Sequence, residues 1–238
     1  MNKLIPILYQ PEMSLAIIEN RKWVTRRLLK HPSAKVASNY AFSPLTDTWH
    51  PMDDEGQVYF EIPIEAKYGL AGDILWVREN FIVQQVNRIH QQGEWWCHVC
   101  IDFPASNGKP SIELRHWFWV REKGKPEILK RKHPEKVFTS PNIFLPFECC
   151  RTFLKVTAVR IERLQEITED QARGEGIEWI TNKYGSGWKV YGVPDQITQM
   201  PIVSYRSLWE SINGPDSWNA NPFVWVIEFS KTEKPNTL

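Results

Sequence analysis

Hydrophobic and polar positions change their period several times along the chain, and each change marks an element. Alternation is longest in RTFLKVTAVRIERLQEI (151–167). There Phe153, Lys155 and Thr157 interleave with Leu154, Val156 and Ala158, and period two predicts a strand. LIPILYQ (4–10) and PFVWVIEFS (222–230) predict further strands. AGDILWVRENFIV (71–83) predicts a Gly-Asp turn entering a strand, and WWCHVCID (95–102) with LRHWFWVRE (114–122) an aromatic strand pair. The period shifts toward helix in three places. PEMSLAIIEN (11–20) carries Pro11 near its start and Asn20 as a left-handed close. ITEDQARGEGI (167–177) has Thr168 as N-cap, Gln171 three residues on as a capping box, and Gly174 as the expected stop. PIVSYRSLWESIN (201–213) places Val203, Leu208, Trp209 and Ile212 at helical spacing between Pro201 and Asn213-Gly214. KWVTRRLL (22–29) fits a strand or an extended turn. Short strands with a few helices predict an α+β domain on a small, strongly curved sheet or barrel.

Composition narrows this picture. The 238 residues suit one large domain or a small one with insertions, and 42% hydrophobic content supplies a core. Net charge is +1, so anion binding must come from local clustering. The densest cluster is ENRKWVTRRLLKH (19–31), with Arg21, Lys22, Arg26, Arg27, Lys30 and His31. It reads as a solvated basic face, a phosphate grip, or a place for chemistry at Lys22 and Thr25. A second basic stretch, KGKPEILKRKHPEK (123–136), reads as an exposed loop. No apolar run approaches membrane-spanning length and no leader pattern opens the chain, so a cytoplasmic location without membrane contact is expected. Four cysteines make no disulfide scaffold at this length. Cys97 and Cys100 have zinc-ligand spacing, but the other pair, Cys149 and Cys150, is adjacent in sequence and poorly suited to one ion. Reduced thiols are preferred over structural zinc, and no cofactor is expected. Twelve tryptophans are expected mainly in the core. Trp23 and Trp76 are the candidates for stacking on a base.

Four stretches in order carry a resemblance: the first helix with ENRKWVTRR, the GDILWV turn-strand, ITEDQARGEGI, and the closing FVWVIEF strand. Together they resemble the ASCH family, a branch of the PUA-like barrels, in its longer phage and prophage form. The resemblance implies a single ASCH-type domain over 1–238, with 84–150 and 178–200 as insertions. It also implies a cleft lined by 21–27, 72–79 and 175. Some small bacterial members are amidohydrolases that remove the acetyl group of N4-acetylcytidine with a Thr, a Lys and a Glu. Lys22, Thr25 and Glu175 fall on those positions, and Arg27 on the motif's basic residue.

The chemistry has its own demands. Amide hydrolysis needs a nucleophile, a base and donors for the oxyanion. A neutral lysine amine can activate a threonine hydroxyl, but an ordinary lysine, near 10.4, must be lowered to about 7. Neighbouring cations and burial both push that way. Residues three apart on a regular strand face opposite sides, so an enzyme needs a backbone irregularity between 22 and 25. Glu175, past a helix C-terminus, suits a general acid. The expected function is recognition of a nucleoside or nucleic-acid base, with amide hydrolysis as its bolder form. The rival is a non-catalytic RNA or DNA reader using Arg21, Arg26, Arg27 and Lys30 on phosphates. A nuclease is weaker, since no metal-binding carboxylate cluster is visible in the sequence.

Overall fold

A computed structural model describes residues 2–91, 94–103, 116–121 and 138–235, with backbone alone at 83–102, 116–121 and 138–140. In chain order the first strands are β1 (Leu4–Leu8), β2 (Val24–Leu28), β3 (Asn39–Ser43), β4 (Thr48–Met52) and β5 (Ile64–Glu65). They are followed by β6 (Ile74–Arg78), β7 (Phe81–Gln91), β8 (Glu94–Asp102), β9 (His116–Arg121) and β10 (Phe138–Ser140). The rest are β11 (Phe153–Arg163), β12 (Trp179–Asn182), β13 (Gly185–Lys189), β14 (Ile197–Thr198) and β15 (Phe223–Thr232). The α-helices are α1 (Pro11–Ile18), α2 (Glu169–Gly174) and α3 (Pro201–Asn213). The protein is therefore α+β and strand-dominated. No helix of the described residues is long and apolar enough to cross a membrane.

Contacts divide the chain into two units. The first holds Met1–Lys3, Glu19–Ile74 and Lys155–Ser230. Here β11, β15 and β2 lie side by side in that order, and β3–β4–β5 and β12–β13–β14 form two three-stranded sheets. The antiparallel register Ile227↔Thr25 and Val226↔Arg26 fixes which residues of β2 share a face. The second unit holds Leu4–Ile18, Leu75–Leu154 and Lys231–Leu238. It contains β1 beside β6 and the four-stranded order β10–β7–β8–β9. The expected aromatic pair is present as antiparallel β8 and β9, with Trp96 opposite Arg121.

Among the described residues no sheet returns to its own first strand, so the expected barrel is not closed. β2 ends its sheet, and beyond its start the chain meets Glu175 through an isolated bridge at Lys22 rather than another strand. Asn20 takes the left-handed conformation after α1, at φ 61°. The apolar stripe of α3 is rotated from the expected one. Pro201, Ser204, Tyr205, Leu208 and Trp209 are buried, whereas Val203 and Ile212 are exposed. Spacing of three and four from Pro201 selects the inward face.

Candidate functional site

The site lies in the first unit, where β2 begins beside the end of α2. Thr168 and Gln171 form the expected capping box, so α2 starts as its sequence dictates. It ends at Gly174, the expected stop, but the left-handed residue lies two positions further on. Gly176, at φ 89°, takes the left-handed turn, and Gly174 is needed for another reason. A Cβ on Gly174 would stand 2.4 Å from the Trp23 ring. The indole lies against that bare backbone and is itself 40% exposed.

Trp23 also breaks the regularity of the backbone between 22 and 25. Its N–H donates to the Gly174 carbonyl at 3.0 Å, while its carbonyl accepts from Phe229 N–H at 2.9 Å. In a regular antiparallel strand both groups of one residue address the same neighbour. Trp23 divides them, and the regular strand starts only at Val24. Lys22, ahead of the break, bridges Glu175.

Lys22 and Glu175 are buried together. Lys22 Nζ donates to Glu175 Oε2 at 2.7 Å and to the Glu175 carbonyl oxygen at 2.7 Å. Burial lowers the Lys22 amine below its ordinary range; the Glu175 carboxylate opposes this, and Arg27 and Arg26 reinforce it. The expected direction is present, though burial outweighs the arginines as its cause. Arg26 points inward too. Its Nη2 donates to Glu162 and to Gln171 Oε1, and its Nη1 lies 3.6 Å from Glu175 Oε1. Glu162 in turn accepts from Arg160 at 2.8 Å, and Arg160 donates to Glu228 at 2.7 Å. Tyr205 from α3 completes the group. Its hydroxyl is pushed well above the ordinary phenol range by burial first and by the Glu175 carboxylate next.

No protein-family model, no curated protein and no solved structure matches the chain.

The basic run separates into different environments. Arg26 is buried among carboxylates, so it does not belong to an exposed phosphate-gripping face. Arg21 is half-buried and donates to Glu19 and to the Gly176 carbonyl. Arg27 is half-buried, with its charge felt at Lys22, Tyr68 and Tyr205. Lys30 is exposed. Thr25 is buried on β2 opposite Ile227. Alternation puts it on the face shared with Arg27 and away from Arg26. Among the described residues no hydrogen bond joins its hydroxyl to Lys22 or Glu175. The structure thus joins amine and carboxylate and leaves the hydroxyl one strand face apart from Arg26.

Trp76 belongs to the second unit, where it is 8% exposed. The Arg78 guanidinium lies 4.4 Å from its ring centre and Phe147 meets it edge-on, so it is no open stacking face. Cys149 and Cys150 are buried free thiols, and burial raises both, Cys150 to about 12. Cys150 Sγ donates to the Val77 and Thr152 carbonyls at 3.1 and 3.2 Å. Cys97 and Cys100 fall in β8, where side chains lie outside the described residues, as does the basic stretch 123–136. Among the described residues no metal-ligating group gathers.

Sequence reasoning missed Tyr205 and Glu162. Tyr205 carried a signal: a phenol on a buried helical stripe needs a polar partner. Glu162 carried one only in the alternation of β11, which sets it on a face with Arg160. The assembled chemistry is a buried amine bonded to a carboxylate, with a phenol and two guanidiniums close by.

Proposed function

We propose that the Lys22–Glu175 cluster is the working cleft of an ASCH-type, PUA-like protein. It recognises a nucleoside or nucleic-acid base and hydrolyses an acyl amide on that base, N4-acetylcytidine being the type substrate. The observation that carries this reading is the Lys22–Glu175 contact at 2.7 Å. It joins residues 153 apart and holds an amine whose burial favours the neutral form. In this reading Lys22 is the base and Glu175 hands a proton to the leaving amine. Thr25, whose hydroxyl bonds neither group in this structure, is the nucleophile or orients the attacking water once substrate draws the three groups together. Arg27 supplies positive charge to the developing oxyanion. Arg21 and Lys30 face phosphate, and Trp23 offers a ring.

The test is conversion of N4-acetylcytidine to cytidine, followed chromatographically. Removing general acid–base groups costs about 10²–10⁴ in kcat, so Lys22→Met and Glu175→Gln are each expected to fall by that much. Thr25→Val is expected to fall with them. A folded wild-type protein that turns over no acylated nucleoside overturns the hydrolytic reading.

One observation favours a second reading. The Lys22 amine is bonded to both the carboxylate and the carbonyl of Glu175, as a structural staple would be. A reader of RNA or DNA without catalysis would keep that staple closed. It would show salt-sensitive binding that Lys30→Ala and Arg21→Ala weaken.

A further inference from the structure

Open aromatic rings gather in the segment 178–200, outside the buried cluster. The register of β12, β13 and β14 pairs Trp179 with Trp188, Thr181 with Ser186, and Trp188 with Thr198. Directly paired residues share a face, so one face of this sheet carries two indoles and three hydroxyls and no aliphatic side chain. Trp179 is 51% exposed and meets Trp188 edge-on at 5.1 Å. The Thr181 and Ser186 hydroxyls are 2.8 Å apart. A protein interface also uses Trp and Tyr, but the buried centre of such a patch is more apolar than this face, where every other paired residue carries a hydroxyl. Flat rings among hydroxyls suit stacked bases instead, with hydroxyls reaching sugar and phosphate.

Cations stand at both ends of β12. Before it, Arg21 Nη1 holds the Gly176 carbonyl at 3.0 Å. After it, the Lys183 ammonium lies 4.9 Å from the ring centre of Tyr184, which is 69% exposed. Tyr184 also borders an open, shallow hollow of ≈ 360 Å³ with Val193, Pro194, Asp195, Gln196 and Ile197. Asp195 and Gln196 line it, and both residue types carry groups able to bond a base edge. The frame is tied in place. Asn182 Nδ2 donates to the Asp195 carbonyl at 2.7 Å, Gln199 Nε2 to the Ser186 carbonyl at 2.7 Å, and Ser204 Oγ of α3 to the Lys189 carbonyl at 2.6 Å. Trp179 follows Glu175 by four residues, at most about 14 Å of extended chain.

We propose that the β12–β13–β14 sheet is a second contact surface for single-stranded nucleic acid. Trp179 stacks one base, Tyr184 and its hollow take another, and Arg21 and Lys183 face phosphates. The proposal rests on the base-recognising reading of the Lys22–Glu175 cleft and extends it from a free nucleoside to a polymer.

The full chain is titrated into fluorescein-labelled oligouridylate and oligothymidylate, and binding is read by anisotropy. Trp179→Ala and Tyr184→Ala are each expected to weaken binding by about 5- to 150-fold, the range for one stacked base. Trp179→Phe is expected to restore most of it. Both positions are exposed, and an unchanged melting curve verifies the fold. Turnover of N4-acetylcytidine, which needs only the cleft, is expected to stay at the wild-type rate in Trp179→Ala. Oligonucleotide binding that both alanine variants leave unchanged, or that the wild type lacks, overturns the proposal. Binding unchanged in Trp179→Ala, with a shift to smaller species in sedimentation, also overturns it and makes the face a protein interface. Weakened binding in Trp179→Ala sustains the platform even if no acylated nucleoside is hydrolysed, so the two failures stay distinguishable.

Discussion

At the scale of single residues, Lys22 and Tyr205 leave opposite marks on stability. The folded Lys22 amine sits below 10.5. Between its folded value and 10.5 the unfolded chain therefore binds a proton that the folded chain has released, and stability climbs with pH through that window. Below the window the full penalty of a buried ammonium is present. Tyr205 stands well above 10.0 when folded. Above 10.0 the folded chain keeps a proton that the unfolded one has lost, so stability falls. Guanidinium denaturation across alkaline pH is expected to show a climb that Lys22→Met weakens and a fall that Tyr205→Phe makes shallower, the remaining fall coming from the buried Cys149 and Cys150 thiols, which also hold their protons when folded. Parallel curves for all three proteins count against the burial of both groups. The pairing of Lys22 with Glu175 was expected from the resemblance of their two stretches to one family, not from spacing or period. The inward turn of Arg26 was not legible in the sequence. Arg26 and Arg27 are indistinguishable as letters, and only the register of β2 against β15 decides which of them faces carboxylates.

At the scale of elements, the contact between α2 and the start of β2 depends on a missing side chain. Gly174→Ala forces the Trp23 indole aside. Overpacking of this kind costs about 1–3 kcal/mol, less if the half-exposed ring swings freely into solvent. In a Trp23→Ala background the same substitution is expected to be nearly neutral, since the obstructing atoms are gone. A double-mutant cycle on thermal melting checks this; additive losses disprove the contact. Most elements were readable from period and punctuation. The capping box at Thr168, the αL residue at Asn20 and the long strand in 151–167 were all in place. One boundary and one buried face were not readable. β2 begins at Val24 rather than Lys22 because Trp23 splits its hydrogen bonds between two neighbours, a choice made by tertiary partners. The buried stripe of α3 passes through Tyr205 rather than Val203, because an amphipathic pattern with residues such as Ser204 and Tyr205 inside fits more than one rotation.

At the scale of the whole molecule, a net charge of +1 conceals extensive internal pairing. In the first unit the series Glu228, Arg160, Glu162, Arg26, Glu175 and Lys22 alternates sign from β15 to the end of α2. In the second, Arg151 grips Glu79 with two bonds of 2.8 and 2.7 Å, and its guanidinium lies 4.2 Å from the Phe103 ring centre. Glu79 is 2% exposed. Glu79→Ala leaves Arg151 without its counter-charge, at an expected cost of about 3–5 kcal/mol, whereas Glu79→Leu with Arg151→Met is expected to recover much of it. Urea denaturation midpoints decide this, and a single-variant loss under about 1 kcal/mol would place the pair in the class of exposed ion pairs.

The Lys22–Glu175 contact has a further consequence in time. During synthesis the amine leaves the ribosome 153 residues ahead of its carboxylate. At about 5–20 residues per second that interval is about 8–30 s. Throughout it the nascent chain carries its densest run of positive charge, beside ribosomal RNA, without the acid that later shields it. Only when translation has passed Glu175 can the Lys22 amine be buried against its counter-charge.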